Sequence, residues 1–152
     1  MKLVGRQGTR LELRLVGYHH PDDRYDPWDS NTLLVAVRVL TPDGSWDVVD
    51  PCLTTWEAGH LIQWLAALGG RPDLLGGRLN EPNVTFTARA SAGADDAITV
   101  EASFELELRP PWLGSGNLAV ELDVDRHQLT AAAADLKADL AAYPQRGDDP
   151  TL

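Results

Sequence analysis

The chain has 152 residues, 43% of them apolar, and its 23 acidic residues against 13 basic ones leave a net charge of −10. That length fits one domain with one core. The charge repels phosphate backbones and anionic lipid headgroups, which argues against nucleic acid or a membrane surface as a direct partner.

The single cysteine, Cys52, rules out an intramolecular disulfide and a multi-cysteine zinc cage. The N-terminal residues lack the run of about seven or more apolar side chains of a signal peptide, and no stretch approaches the roughly 18 needed to span a bilayer. A cytoplasmic protein is therefore expected.

In chain order, Leu11, Leu13 and Leu15 alternate with Glu12 and Arg14, the period of a strand with one buried face, running to about Tyr18. Residues 19–31 then turn polar and proline-punctuated, with Asp22, Asp23, Asp26 and Asp29 and two exposed-looking aromatics, Tyr25 and Trp28. Leu33, Val35, Val37 and Val39 form the next alternating set. Leu34 and Ala36 make its second face unusually apolar, as in a central strand partly covered on both sides. Thr41-Pro42-Asp43-Gly44 reads as a tight turn, with Ser45 to Asp50 the returning arm of a hairpin.

A helix follows with both ends marked. Thr54 and Glu57 have the spacing of a capping box, Leu61, Ile62, Trp64, Leu65 and Leu68 make an apolar stripe, and Gly69-Gly70 supplies a stop. After the glycine pair Gly76-Gly77, Val84, Phe86 and Ala88 alternate with Thr85, Thr87 and Arg89, with Pro82 at the strand entrance. A loop of small and acidic residues, 91–96, leads to the longest alternation, in which Ile98 through Leu108 face one way and Thr99 through Arg109 the other. Trp112 to Asn117 is a glycine-containing loop. Leu118, Val120, Leu122 and Val124 make one more strand, and Asp125 with Gln128 opens a last helix that Pro144 stops.

The expected fold class is α+β: a mostly antiparallel six-stranded sheet in β-β-β-α-β-β-β-α order, with two helices packed on one face and a polar second face. The domain spans 1–147, and 148–152 is a polar tail expected to be flexible.

Chemical motifs are sparse. His19-His20 beside Asp22-Asp23 has metal-ligand residue types, but neighbouring residues of an extended chain point to opposite sides and no helical ligand spacing supports them, so neither a metal nor another cofactor is expected. Ser45, Ser91, Ser103 and Ser115 lack a nucleophile elbow, and there is no Walker loop and no dinucleotide fingerprint. Cys52 with His60 is the best case for a nucleophile, since a helix start can lower a thiol pKa, yet the thiol between Pro51 and Leu53 is better placed to pack. No catalytic residue is expected.

Several strings in order resemble the WapI-type bacterial immunity proteins: Gly17-Tyr18 before an acidic loop, Gly44-Ser45-Trp46, Pro51-Cys52-Leu53-Thr54 opening a helix with Trp64-Leu65, Glu81-Pro82-Asn83-Val84-Thr85-Phe86, Pro110-Pro111-Trp112 and Tyr143-Pro144-Gln145-Arg146. His19-His20 departs from the more hydrophobic pair expected there. The resemblance covers nearly the whole chain. It implies a small cytoplasmic protein that binds and neutralises the C-terminal domain of a polymorphic toxin, often a nuclease, and it carries over no catalytic residue.

Acidity, aromatic loops and the lack of catalytic motifs together place the expected partner surface at Asp22, Asp23, Asp26 and Trp28 of the first loop and at Glu101, Glu105 and Glu107 of the open sheet face. The expected partner is a basic toxin domain. The rival readings are an adaptor domain with a regulatory protein partner and a small enzyme dependent on Cys52.

Overall fold

The computed structural model describes residues 1–70, 78–80, 83–92 and 97–150. The expectations for Gly76-Gly77, for Pro82, for residues 93–96 of the small acidic loop and for the last two residues of the tail lie outside them.

The chain order is β1 (Lys2–Val4), β2 (Arg10–Tyr18), α1 (Pro27–Asn31), β3 (Thr32–Thr41), β4 (Gly44–Thr54), α2 (Thr55–Gly70), β5 (Arg78–Asn80), β6 (Val84–Ala90), β7 (Ile98–Phe104), β8 (Leu118–Val124) and α3 (Arg126–Leu140). The strands form two antiparallel meanders rather than one six-stranded sheet. The first runs β1-β2-β3-β4, and the second β6-β7-β8 with short β5 paired outside β6. Alternation shows which side chains face a core but is the same whether the strands share one sheet or divide between two. Three-residue β1 and β5 are also too short to show a period.

Both meanders turn their apolar faces to a common core. Leu11↔Val39, Leu13↔Val37 and Leu15↔Val35 pair across β2 and β3, and Val84↔Phe104, Phe86↔Ala102 and Ala88↔Val100 pair across β6 and β7. Leu61, Leu65 and Leu68 of α2 and Leu129, Ala132 and Leu136 of α3 join the same cluster, all nearly or fully buried. The sheets also approach along their flanks. β1 lies against β8, where a Cβ on Gly5 would stand 3.2 Å from the Leu122 Cα. On β4, buried Trp46 donates its indole N–H to the Leu108 carbonyl at 3.0 Å and meets Phe104 edge-on.

The helix starts follow their caps. The Thr54 amide donates to the Glu57 carboxylate at 2.6 Å and the Glu57 amide to the Thr54 hydroxyl at 3.3 Å, the reciprocal pair expected. Asp125 caps α3 through the Gln128 amide at 2.8 Å, but the Gln128 side chain does not reach back; it accepts from the Val4 amide at 2.9 Å and ties β1 to the helix. Gly69-Gly70 are the last two residues of α2, the end at which the stop was expected. Gly69 is where α3 crosses: a Cβ there would lie 2.6 Å from the Thr130 hydroxyl oxygen and 3.3 Å from the Arg126 carbonyl oxygen.

The long alternation of 98–109 is not one strand. β7 ends at Phe104, and Leu106–Leu108 form a single 3-10 turn. Leu106 takes a positive φ of 49° and is half exposed, while Leu108 turns fully into the core. The sequence period continues through a reversal of the chain. Trp46 is a core residue at 4% exposure, and Trp112 stands edge-on over it as a half-exposed lid.

Candidate functional site

The candidate surface is the connection between β2 and β3. These strands are antiparallel neighbours that a hairpin of about two to five residues could join, yet residues 19–31 intervene. The stretch read as a loop contains α1. The Asp26 carboxylate caps this short helix, accepting from the Trp28 amide at 2.8 Å and the Asp29 amide at 3.0 Å, with Pro27 preset at its first position. One turn earlier the Asp23 carboxylate accepts from the amides of Tyr25 at 2.8 Å and Asp26 at 3.3 Å. The Tyr25 amide, more than any other group, holds the Asp23 carboxyl below its ordinary pKa.

The underside of the loop is bound by the C-terminal segment. Arg146 donates to the carbonyls of His20 at 3.3 Å, Asp23 at 3.4 Å and Ser30 at 3.3 Å, and its guanidinium lies 3.4 Å over the Tyr18 ring. Asn31, fully buried, clasps the backbone of the same arginine. Its amide group donates to the Arg146 carbonyl at 2.7 Å, and its oxygen accepts from the Arg146 amide at 2.8 Å and the Thr55 hydroxyl at 2.9 Å. The Tyr18 hydroxyl donates to the Pro144 carbonyl, and Tyr18 and Tyr143 meet edge-on at 5.5 Å. Gly17-Tyr18 and Tyr143-Pro144-Gln145-Arg146, far apart in sequence, are one latch.

The sequence-predicted site residues separate accordingly. Asp22, Asp23, Asp26 and Trp28 share the loop. Asp22 is exposed, Asp23 and Asp26 spend one carboxylate oxygen each on local amides, and Trp28, 45% exposed, stands edge-on to buried Trp56 at 5.2 Å. Glu101 lies on the outer face of β7 opposite Glu121 of β8, which is paired with Arg89 at 2.6 Å. That face is partly closed by its own side chains: Thr99 is 2% exposed and donates to Asp123 at 2.6 Å, and Ser103 is 8% exposed and accepts from Asn117 at 2.6 Å.

Glu105 and Glu107, expected beside Glu101, instead stand on the turn after β7, flanking Leu106. There the Asn83 amide group donates to Asp50 at 3.2 Å and Glu107 at 3.3 Å. Burial and then the Glu107 charge raise the Asp50 pKa, against the Asn83 hydrogen bond and the His19 imidazole.

His19 and His20 do not point apart, since β2 ends at Tyr18 and their rings meet at 4.1 Å. Among the described residues no group of three or more His, Cys, Asp or Glu side chains could hold a metal ion. Cys52 is not at a helix start; it lies on β4, half-buried against the core. His60 lines a surface groove of about 450 Å³ with Gln63, Tyr143 and Gln145. No described helix is long and apolar enough to cross a membrane.

Sequence reasoning missed the parts played by Asn31 and Arg146. Each is a polar residue at an element boundary, and no periodicity or spacing links two positions 115 residues apart.

The chain is thus an α+β domain in which buried polar groups brace an acidic, aromatic surface loop. The chain belongs to the immunity protein WapI-like family, whose model matches residues 2–144. No curated protein and no solved structure compared with the chain matches it. Membership of an immunity family supports a toxin-neutralising role.

Proposed function

We propose that this protein acts in the cytoplasm as a stoichiometric inhibitor of the C-terminal domain of a cognate polymorphic toxin, occluding the toxin's active site or a neighbouring exosite, and that it performs no catalysis. The observation that carries the reading is the pairing of family membership over residues 2–144 with a net charge of −10. A basic toxin, of which a nuclease is the favoured kind, has a surface shaped for phosphates that carboxylates can fill. The contact surface proposed is the loop bearing Asp22, Asp23, Asp26 and Trp28, extended by Glu105 and Glu107, with Glu101 on the adjoining sheet.

Co-expression tests this. The chain should relieve the lethality of one C-terminal toxin domain from its own organism and form a complex of fixed stoichiometry with it. Survival that requires only trace amounts of the chain, far below the toxin, would point to catalysis and sink the stoichiometric mechanism. Reversing the charge of Asp22, Glu101 and Glu105 together should weaken protection while leaving the thermal midpoint within a few degrees of wild type.

A further inference from the structure

Tyr25 is 97% exposed, the largest exposure of any big hydrophobic side chain among the described residues. An aromatic ring standing free in water on a floppy loop would be unremarkable, but this one is held on a braced scaffold. Its own amide is fixed to the Asp23 carboxylate at 2.8 Å, the helical turn just after it is capped by Asp26, and Arg146 grips three carbonyls behind it. The backbone under Tyr25 is thus ordered before any partner arrives, so the conformational cost of binding is largely met in advance. A tyrosine adds little to that cost, having only two side-chain torsions while offering a large amphipathic contact area.

We infer that Tyr25 is the anchor of the toxin interface, its ring receiving an arginine or lysine of the toxin drawn in by the exposed carboxylates of the same segment, Asp22 and Asp29, with Arg146 as the positioning residue that holds the loop in place. This rests on the reading that the protein neutralises a toxin. The partner chemistry follows from the charge of the segment: a cation is attracted over the ring face by the ring quadrupole and toward the loop by the exposed carboxylates of Asp22 and Asp29. Asp23 and Asp26 serve mainly to shape the loop, Asp22 and Asp29 to attract, and Tyr25 to hold.

The probe is the toxin domain whose lethality the wild-type chain relieves on co-expression. Tyr25→Ala should weaken its binding about thirty-fold or more, chiefly through faster dissociation, and Tyr25→Phe should stay within a few-fold of wild type. Asp22→Asn with Asp29→Asn should instead slow association and flatten its salt dependence. Arg146→Gln should weaken binding and speed hydrogen exchange at the Tyr25 amide, whereas Tyr25→Ala should leave both that exchange and the thermal midpoint unchanged. Equal binding by wild type and Tyr25→Ala overturns the anchor while leaving toxin neutralisation standing. Failure of the wild-type chain to relieve any toxin domain overturns both.

Discussion

Asn31, which is buried, and Asp50, which is only partly so, show how differently a polar residue can act. Asn31 has each side-chain atom partnered, joining α1, the start of α2 and the C-terminal segment. Asn31→Ala leaves several buried groups unpaired, and urea denaturation should show a loss of about 2–4 kcal/mol. Asp50 is the opposite case. Its folded pKa is raised, first by burial and then by Glu107, so at neutral pH its ionised form carries a cost that protonation relieves. Asp50→Asn should therefore raise the thermal midpoint at pH 7, and the advantage over wild type should shrink as pH falls through the raised pKa and Asp50 itself becomes neutral. Asp123 has the contrary sign. The Thr99 hydroxyl, followed by Ser91, lowers its pKa, so its contribution is complete above the ordinary aspartate pKa and is lost as pH falls through the lowered one. A shift of the midpoint with pH that keeps the same sign across both ranges in Asp50→Asn and Asp123→Asn would contradict these assignments.

At the scale of elements, α2 carries two adjacent glycines with different roles. Gly69→Ala places a methyl against Thr130 and the Arg126 carbonyl of α3 and should cost about 1–3 kcal/mol despite alanine's better helix propensity. Gly70→Ala meets nothing within 4 Å and should be neutral or gain up to about 1 kcal/mol. Calorimetry on the two variants separates a packing glycine from a helix-ending one; equal effects would remove the helix-crossing explanation. Thr54→Ala should cost about 1 kcal/mol through the lost cap.

The same elements mark what was legible in the sequence. Leu11 to Leu15, Leu33 to Val39 and Leu118 to Val124 repeat with a strand's period over a full element, and Thr54 with Glu57 is a local chemical pairing, so each was readable. Leu106 and Leu108 kept the period while the backbone reversed, because only a positive φ, invisible in residue identity, separates them. Gly69-Gly70 marked the end of α2, but the packing of Gly69 against Thr130 is a contact with another helix that residue identity does not show.

For the molecule as a whole, the two meanders and two helices close one core, and the proposed contact surface sits outside it. The net charge of −10 acts at this scale. Association with a basic toxin domain should slow by an order of magnitude or more between about 0.05 and 0.5 M salt while dissociation changes little, as stopped-flow mixing would show. An association rate indifferent to salt would mean that recognition is local and apolar. The candidate surface was half legible for a related reason. The aspartates and Trp28 declared themselves by composition, but the latch that orders them is a tertiary contact between residues near the two ends of the described chain.

That latch has a consequence for how such a protein can change over generations. Arg146 grips main-chain carbonyls, and the carbonyls of His20, Asp23 and Ser30 would be there whatever side chains those positions carried. The exposed residues Asp22, Tyr25 and Asp29 can therefore be exchanged without rebuilding the brace beneath them. Inheritance can hold the mount constant while the tool fixed to it diversifies.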